Sequence, residues 1–200
     1  MKIINYLDLN KRLIDLRFQQ DRTANFTEIF HAHQGIEFLY VHQGKGWAII
    51  DKHVHEIKPD TLLFFRPFQL HRVKIDQSSG SRYIRSLFIF EPHVLRDYLS
   101  SFPTLSELFH NICASGYSNQ IFHFESGEMD NLIRLHRRRT PVDLPTDELE
   151  IKVVFLIDFL AMLLPKWKEA DIRANVPPQT TIGKIMEWLD RHYMEPFELE

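Results

Sequence analysis

The chain has 200 residues, 44% of them apolar and 12% aromatic, and a formal charge of −3. That apolar content is ample for one good-sized domain and excludes a disordered polymer, while the near-neutral charge gives the whole chain no signature of a nucleic-acid binder. The single cysteine, Cys113, excludes an internal disulfide framework and favours a reducing compartment. The opening residues alternate charged and apolar groups too closely for a secretory signal, and no apolar run reaches the roughly 18 residues of a membrane span.

Residues 1–30 read as an arm with short extended pieces at Leu13–Phe18 and Thr27–Phe30. Strands are then predicted at Ile36–His42, Trp47–Ile50, His53–Ile57, Thr61–Phe65, Leu70–Ile75 and Tyr83–Phe90. Between them lie turn chemistries: Gln43-Gly44-Lys45-Gly46, Asp51-Lys52, Lys58-Pro59-Asp60 and a Ser/Gly-rich loop at 77–81. Strands at roughly ten-residue spacing, with no helix pattern separating them, indicate an antiparallel barrel or sandwich and not a βαβ fold.

Beyond residue 90 the period changes to that of helices. Short helices are predicted at Val94–Phe102 and Leu105–Ile112, the second with Thr104 as cap and Glu107 three residues on. Another runs from Gly127 to Arg139, with Met129, Leu132, Ile133 and Leu135 on one side. Its final Arg137-Arg138-Arg139 reads as a solvated C-terminal turn suited to the helix dipole. From Asp147 to Lys168, Leu149, Val153, Leu156, Leu160 and Leu163 form a seam spaced for helix–helix contact. Ile151, Phe155, Phe159 and Met162 add a second apolar flank. A helix apolar on so many sides needs burial on more than one of them, so 147–168 is expected to form a homodimer as well as to cover its own barrel. Residues 173–180, with Pro177-Pro178, read as a linker. The helix at Ile182–Tyr193 and the segment after it cannot bury themselves alone, so 181–200 reads as the truncated start of a second domain.

The chemistry concentrates between His31 and His71. His31-x-His33 is followed by Glu37, and Pro67 by His71 four residues later. On parity His31, His33, Glu37, Leu39 and Val41 share one face of an extended segment, and His71, Val73 and Ile75 share another. Three imidazoles and a carboxylate suit a divalent ion such as zinc, nickel, iron or manganese. The same groups suit an organic effector, with Tyr40 and Trp47 as supplementary candidates, or mutual pairing within a core. The chain has eleven histidines, so a chance match is easy. No Gly-rich phosphate loop, nucleophile elbow or Cys-x-x-Cys pair points to an enzyme.

His31-x-His33-x3-Glu37-x6-Gly44 resembles the first motif of the cupin superfamily, and Pro59-Asp60-Thr61 with Pro67 and His71 resembles the second. The order of parts is similar to transcription regulators of the AraC/XylS type, and IGKIMEWLDRHYMEPFELE resembles the opening of their helix-turn-helix domain. The resemblance covers essentially the whole chain. It implies a mainly β fold with C-terminal helices: a cupin-like antiparallel β-barrel (double-stranded β-helix) over about 10–90, then a helical dimerisation segment over about 92–170. The sensor and dimerisation domain would span 1–172, followed by the 173–180 linker and the start of a DNA-binding domain at 181–200. It also implies a bacterial, noncatalytic, dimeric regulator that senses a small molecule such as a sugar and contacts DNA only through the full-length protein. Carried over by position, the metal ligands would be His31, His33, Glu37 and His71. The second motif's usual glycine is replaced by Asp60 or Thr61, which puts its turn geometry in question. The alternatives are a small metal-dependent cupin enzyme and a noncatalytic carbohydrate-binding module.

Overall fold

The computed structural model describes residues 9, 13–24, 29–51, 53–76, 80, 82–114, 119–139 and 148–173. The expected second-domain start and the Pro177-Pro178 linker lie outside these residues. Among the described residues eight strands and four helices follow in order: β1 (Ile14–Asp21), β2 (Ile36–Gln43), β3 (Gly46–Ile50), β4 (His53–Ile57), β5 (Thr61–Phe65), β6 (His71–Ile75), β7 (Ile84–Phe90), α1 (Pro92–Leu99), α2 (Pro103–Cys113), β8 (Ile121–His123), α3 (Glu128–Arg139) and α4 (Glu148–Arg173). The mainly β reading with C-terminal helices holds. The strands pair antiparallel as two sheets, one ordered β1-β7-β2-β5-β8 and the other β4-β3-β6. Strand β8 had no counterpart among the predicted elements, because three residues are too few to display a period.

The five-stranded sheet is covered on both faces. Along β2, Ile36, Phe38 and Tyr40 point to the helices, while Leu39 and Val41 point to the smaller sheet. Strands β5 and β7 divide in the same way, with Leu62, Phe64, Phe88 and Phe90 on the helical side and Leu63, Phe65, Leu87 and Ile89 on the other. Successive side chains of a strand point to opposite faces, so a strand that is apolar throughout needs two covering layers. The smaller sheet covers one face with Ala48, Ile50, Ile57, Val73 and Ile75. Its outer face carries Trp47 and Val54, both exposed. Gly46 permits the close approach of β3 to β6, since a Cβ there would lie 2.0 Å from the Lys74 carbonyl oxygen.

The helices cover the other face. Phe155 and Phe159 of α4 meet Phe38 and Phe88 edge-on at ring-centroid distances of 4.9–5.3 Å, a geometry worth about 0.5–1.5 kcal/mol per pair beyond the area buried. Val153, Leu156, Leu160 and Leu163 of the predicted seam are also buried within the chain itself. Helix α2 starts with Pro103 at its first position, behind Phe102, and no side-chain cap forms. The expected Thr104 cap is therefore displaced by one turn position. Proline's fixed φ and missing N–H suit the first residue of a helix, which moves Thr104 inside it.

A chain of hydrogen bonds ties α3 to the end of the central sheet. Asp130 Oδ1 accepts from His42 Nδ1 at 3.0 Å, and His42 Nε2 accepts the Ser86 hydroxyl at 2.7 Å. Ser86 Oγ in turn accepts the Gln19 backbone N–H at 2.9 Å. Gln19 has φ 49° and sits at the irregularity in the β1–β7 register, so this bond holds a residue in the left-handed region. The wiring needs a neutral imidazole with its proton on Nδ1. Burial pushes the His42 pKa below its ordinary 6.5, against the pull of Asp130 and Asp60.

Two outcomes follow for stability. Phe159→Ala should lose about 3–5 kcal/mol of unfolding free energy in urea, because it empties space that α4 and the sheet share. Because the folded His42 resists protonation while the unfolded chain accepts it near 6.5, stability should fall as pH drops below that value. His42→Gln should weaken the fold at pH 7 and flatten part of that fall, read by urea titrations at pH 7 and pH 5.

Candidate functional site

The site forms where the segment before β2 crosses the start of β6. His31 N donates to His71 O and His71 N to His31 O, each at 3.0 Å, making an isolated antiparallel bridge. Phe68 N donates to His33 O at 2.8 Å. Backbone bonds therefore fix the two leading histidines, not a continuous strand as parity assumed. Gly35, with φ 84°, turns the chain between His33 and Ile36. A side chain there would also press on Leu9 and on the Phe90 carbonyl oxygen at 3.0 Å.

The structure brings His31, His33, Glu37 and His71 together, with one potential ligand atom from each lying within 4.8 Å of the others. His33 Nε2 donates to Glu37 Oε2 at 2.7 Å, and His71 Nε2 lies 4.0 Å from the same oxygen. The other ring nitrogens point outward to backbone carbonyls: His31 Nδ1 to Ile29 O at 3.3 Å, His33 Nδ1 to Gln34 O at 2.9 Å, and His71 Nδ1 to Gln69 O at 2.8 Å. A carbonyl oxygen only accepts, so each Nδ1 carries a proton and each Nε2 is turned toward the cluster. The His71 ring lies flat on Phe65, with centroids 3.9 Å apart and planes at 5°. Its Nε2 is buried and has no hydrogen-bond partner.

Electrostatics in the cluster follow from burial and these contacts. Burial alone would raise the Glu37 carboxyl, but the His33 hydrogen bond and the neighbouring histidine and Arg85 charges hold it down at about 2. His33 is also opposed by burial, yet its bond to Glu37 raises it above the ordinary histidine value. Burial dominates at His71 and pushes it down to about 4. Neutral His71 thus keeps a buried lone pair beside an ionised carboxylate. Such a donor set can accept a divalent ion once the ion displaces the His33 Nε2 proton, and backbone carbonyls that accept from Nδ1–H are the outer partners that metal-bound histidines use.

Tyr40 and Trp47 are not part of this cluster. Tyr40 has the parity opposite to Glu37 and lies on the helical side, where its hydroxyl donates to Asp60 Oδ1 at 2.7 Å. Trp47 is on the outer face of β3 and exposed. Asp60 has φ 61°, so it occupies the left-handed turn position itself, which an aspartate tolerates better than most side chains. The orienting roles of Phe65 and the Gln69 carbonyl were missed from the sequence. Phe65 had a signal in its shared parity with Leu63, whereas the carbonyl had none. The space between the sheets is filled by side chains including Leu39, Val41, Ile50, Ile57 and Leu63, so the polar cluster sits at the margin of a packed interior.

The family model for the AraC-like ligand binding domain matches residues 13–138, a stretch that holds both sheets and all four clustered residues. No curated protein matches the sequence. Among solved structures, ToxT from Vibrio cholerae O395 bound to (E)-4-(8-methylnaphthalen-1-yl)but-3-enoic acid is similar at a TM-score of 0.50 and 12% identity, over 94% of this chain and 68% of that one. The AraC-like transcriptional activator CuxR is similar at a TM-score of 0.48 and 13% identity, over 91% of this chain and 69% of that one. At 12% identity the likeness to ToxT is one of fold. With the family match spanning most of the described sheets and helices, the chain belongs to the AraC-like ligand-binding domain family.

Proposed function

We propose that this chain is the effector-sensing and dimerisation region of a bacterial, cytoplasmic DNA-binding transcription regulator and not an enzyme. DNA would be read by a C-terminal helix-turn-helix domain of the full-length protein. The family match over residues 13–138 carries this reading. A small-molecule effector, a sugar among the candidates, would bias the sensor between two arrangements and so change how the DNA-binding part is presented.

We further propose that His31, His33, Glu37 and His71 hold a divalent ion such as zinc, nickel, iron or manganese. The support is the orphaned, buried Nε2 of His71, beside a carboxylate and two more inward-turned imidazoles. A bound ion would supply a cross-link between the segment at 29–33, β2 and β6, and would neutralise the Glu37 charge.

The proposed homodimer through helix 147–168 needs a face that the chain leaves uncovered. Leu156 and Leu160 are 0% exposed against their own sheet and helices. Val154, at 48% exposure, and Ala161 are exposed, and they are flanked by Ile157 and Leu164, which are partly buried against the chain's own core. The spacing of these residues, three, four and three along the helix, suits contact with a second helix.

Each part has its measurement. After incubation with zinc or nickel and dialysis, elemental analysis should find about one ion per chain, and the double change His31→Ala, His33→Ala should remove it. Wild-type protein that retains no ion would sink the metal proposal. In sedimentation velocity at tens of micromolar, wild type should run as a dimer and Val154→Glu with Ala161→Glu as a folded monomer. A wild-type monomer would end the dimer proposal. Fused to a DNA-binding domain that represses a reporter only as a dimer, the chain should confer repression that the same two substitutions abolish.

A further inference from the structure

A cleft between β1 and α3 stands apart from the histidine cluster. It has a volume of about 450 Å³, within the roughly 300–1,000 Å³ of small-molecule sites. Its polar lining is Gln19, Asp130, Asn131, Arg134, Arg137 and Arg138. Three arginines and one carboxylate thus line it. That carboxylate is already engaged, since Asp130 Oδ1 accepts from His42 Nδ1 at 3.0 Å and from Gln19 Nε2 at 2.9 Å. The next arginine along, Arg139, turns away to Asp158 at 2.8 Å.

Arginines near a helix C-terminus commonly serve the helix dipole, but two of these point elsewhere. Arg134 Nη2 donates to Asn131 Oδ1 at 2.8 Å, one turn back along the helix. Arg137 Nη1 donates to Gln19 Oε1 at 3.0 Å, with its guanidinium over the Phe18 ring. Gln19 is itself anchored through its backbone N–H to buried Ser86. Donors fixed in this way lose little freedom when a ligand arrives. Arg138 is exposed and makes no hydrogen bond or ion pair among the described residues.

We propose that this cleft binds a small anion carrying phosphate or carboxylate groups. Arg137 and Arg134 form its prepositioned wall and Arg138 closes on the ligand. Planar guanidinium forks match both kinds of oxyanion with paired hydrogen bonds, and a neutral sugar offers them no charge. The site is independent of the metal proposal, since none of its lining residues belongs to the histidine cluster.

Calorimetry on the whole 200-residue chain, in metal-free buffer, provides the test. Fructose 1,6-bisphosphate, inorganic phosphate and succinate are the anionic probes, and fructose is the neutral one. Saturable binding is expected for at least one anion and none for fructose, and the ranking of phosphate against succinate tells the two chemistries apart. Arg138→Glu should weaken binding by about tenfold or more while leaving the urea midpoint unchanged, and Arg134→Ala should weaken it without reversing the charge. His31→Ala should leave it intact. No binding of any anion, or binding indifferent to Arg138→Glu, overturns the proposal. A short DNA duplex bound more tightly than the bisphosphate, with the same dependence on Arg138, overturns it too by making this a nucleic-acid surface.

Discussion

The central sheet turns no face to water, and most of the molecule is arranged to satisfy that constraint. Strands β2, β5 and β7 carry large apolar side chains on both sides. One side is closed by the three-stranded sheet and the other by α1, α2 and α4, which yields two separate apolar clusters divided by a single layer of backbone. Alternation along β2 therefore distributes chemistry as well as bulk. Glu37 falls among the histidines on the side of the smaller sheet, while Tyr40 and His42 fall among helices. Glu37 and His42, five positions apart on one strand, thus belong to two different polar networks.

Each network has a covered centre where burial makes polar groups expensive, Ser86 and His42 in one and Glu37 and His71 in the other, and they meet that cost differently. On the helical side the hydrogen bonds run without a gap from Gln19 through Ser86 and His42 to Asp130. The order of these groups is that of a nucleophile, base and acid. Ser86, however, is fully buried, so the relay joins elements and offers no nucleophile to a substrate. On the other side the account does not close. His71 is held by Gln69 and Phe65 in a plane that leaves its Nε2 without a partner beside an ionised carboxylate. A buried lone pair without a donor is what an incoming cation would use, and this is the physical basis for reading the cluster as a ligand set.

Helix α4 illustrates how one pattern can serve two surfaces. Phe155 and Phe159 are consumed by the sheet, and Leu156, Leu160 and Leu163 are buried in the same core. On the outer side of the helix Val154 and Ala161 stay exposed, and the proposed homodimer would use that face. Helix α3 is less apolar: Met129 and Ile133 bury one side, and the arginines occupy the other. It is tied to the sheet largely through polar bonds at Gln19, Asp130 and Arg137, so an occupant of the cleft would act on the same atoms that position β1.

Seven of the eight described strands, the later helices and the identity of the four clustered residues were legible in the sequence, and three-residue β8 was not. Alternation of apolar residues, turn-forming Gly, Pro and Asp, and a helical period are local properties written into neighbouring positions. The alternation of Glu37, Leu39 and Val41 was sufficient to place a carboxylate inside. Parity misassigned the route by which His31 and His33 reach it, because Gly35 breaks the strand and cross-chain backbone bonds do the positioning instead. Only the tertiary structure could exclude Tyr40 and Trp47, assign the proton on each imidazole and show that the predicted α4 seam is filled by its own chain. It alone joined Gln19, His42, Ser86 and Asp130. Those contacts link residues far apart in the chain, and such pairings depend on how layers stack, which no local period encodes.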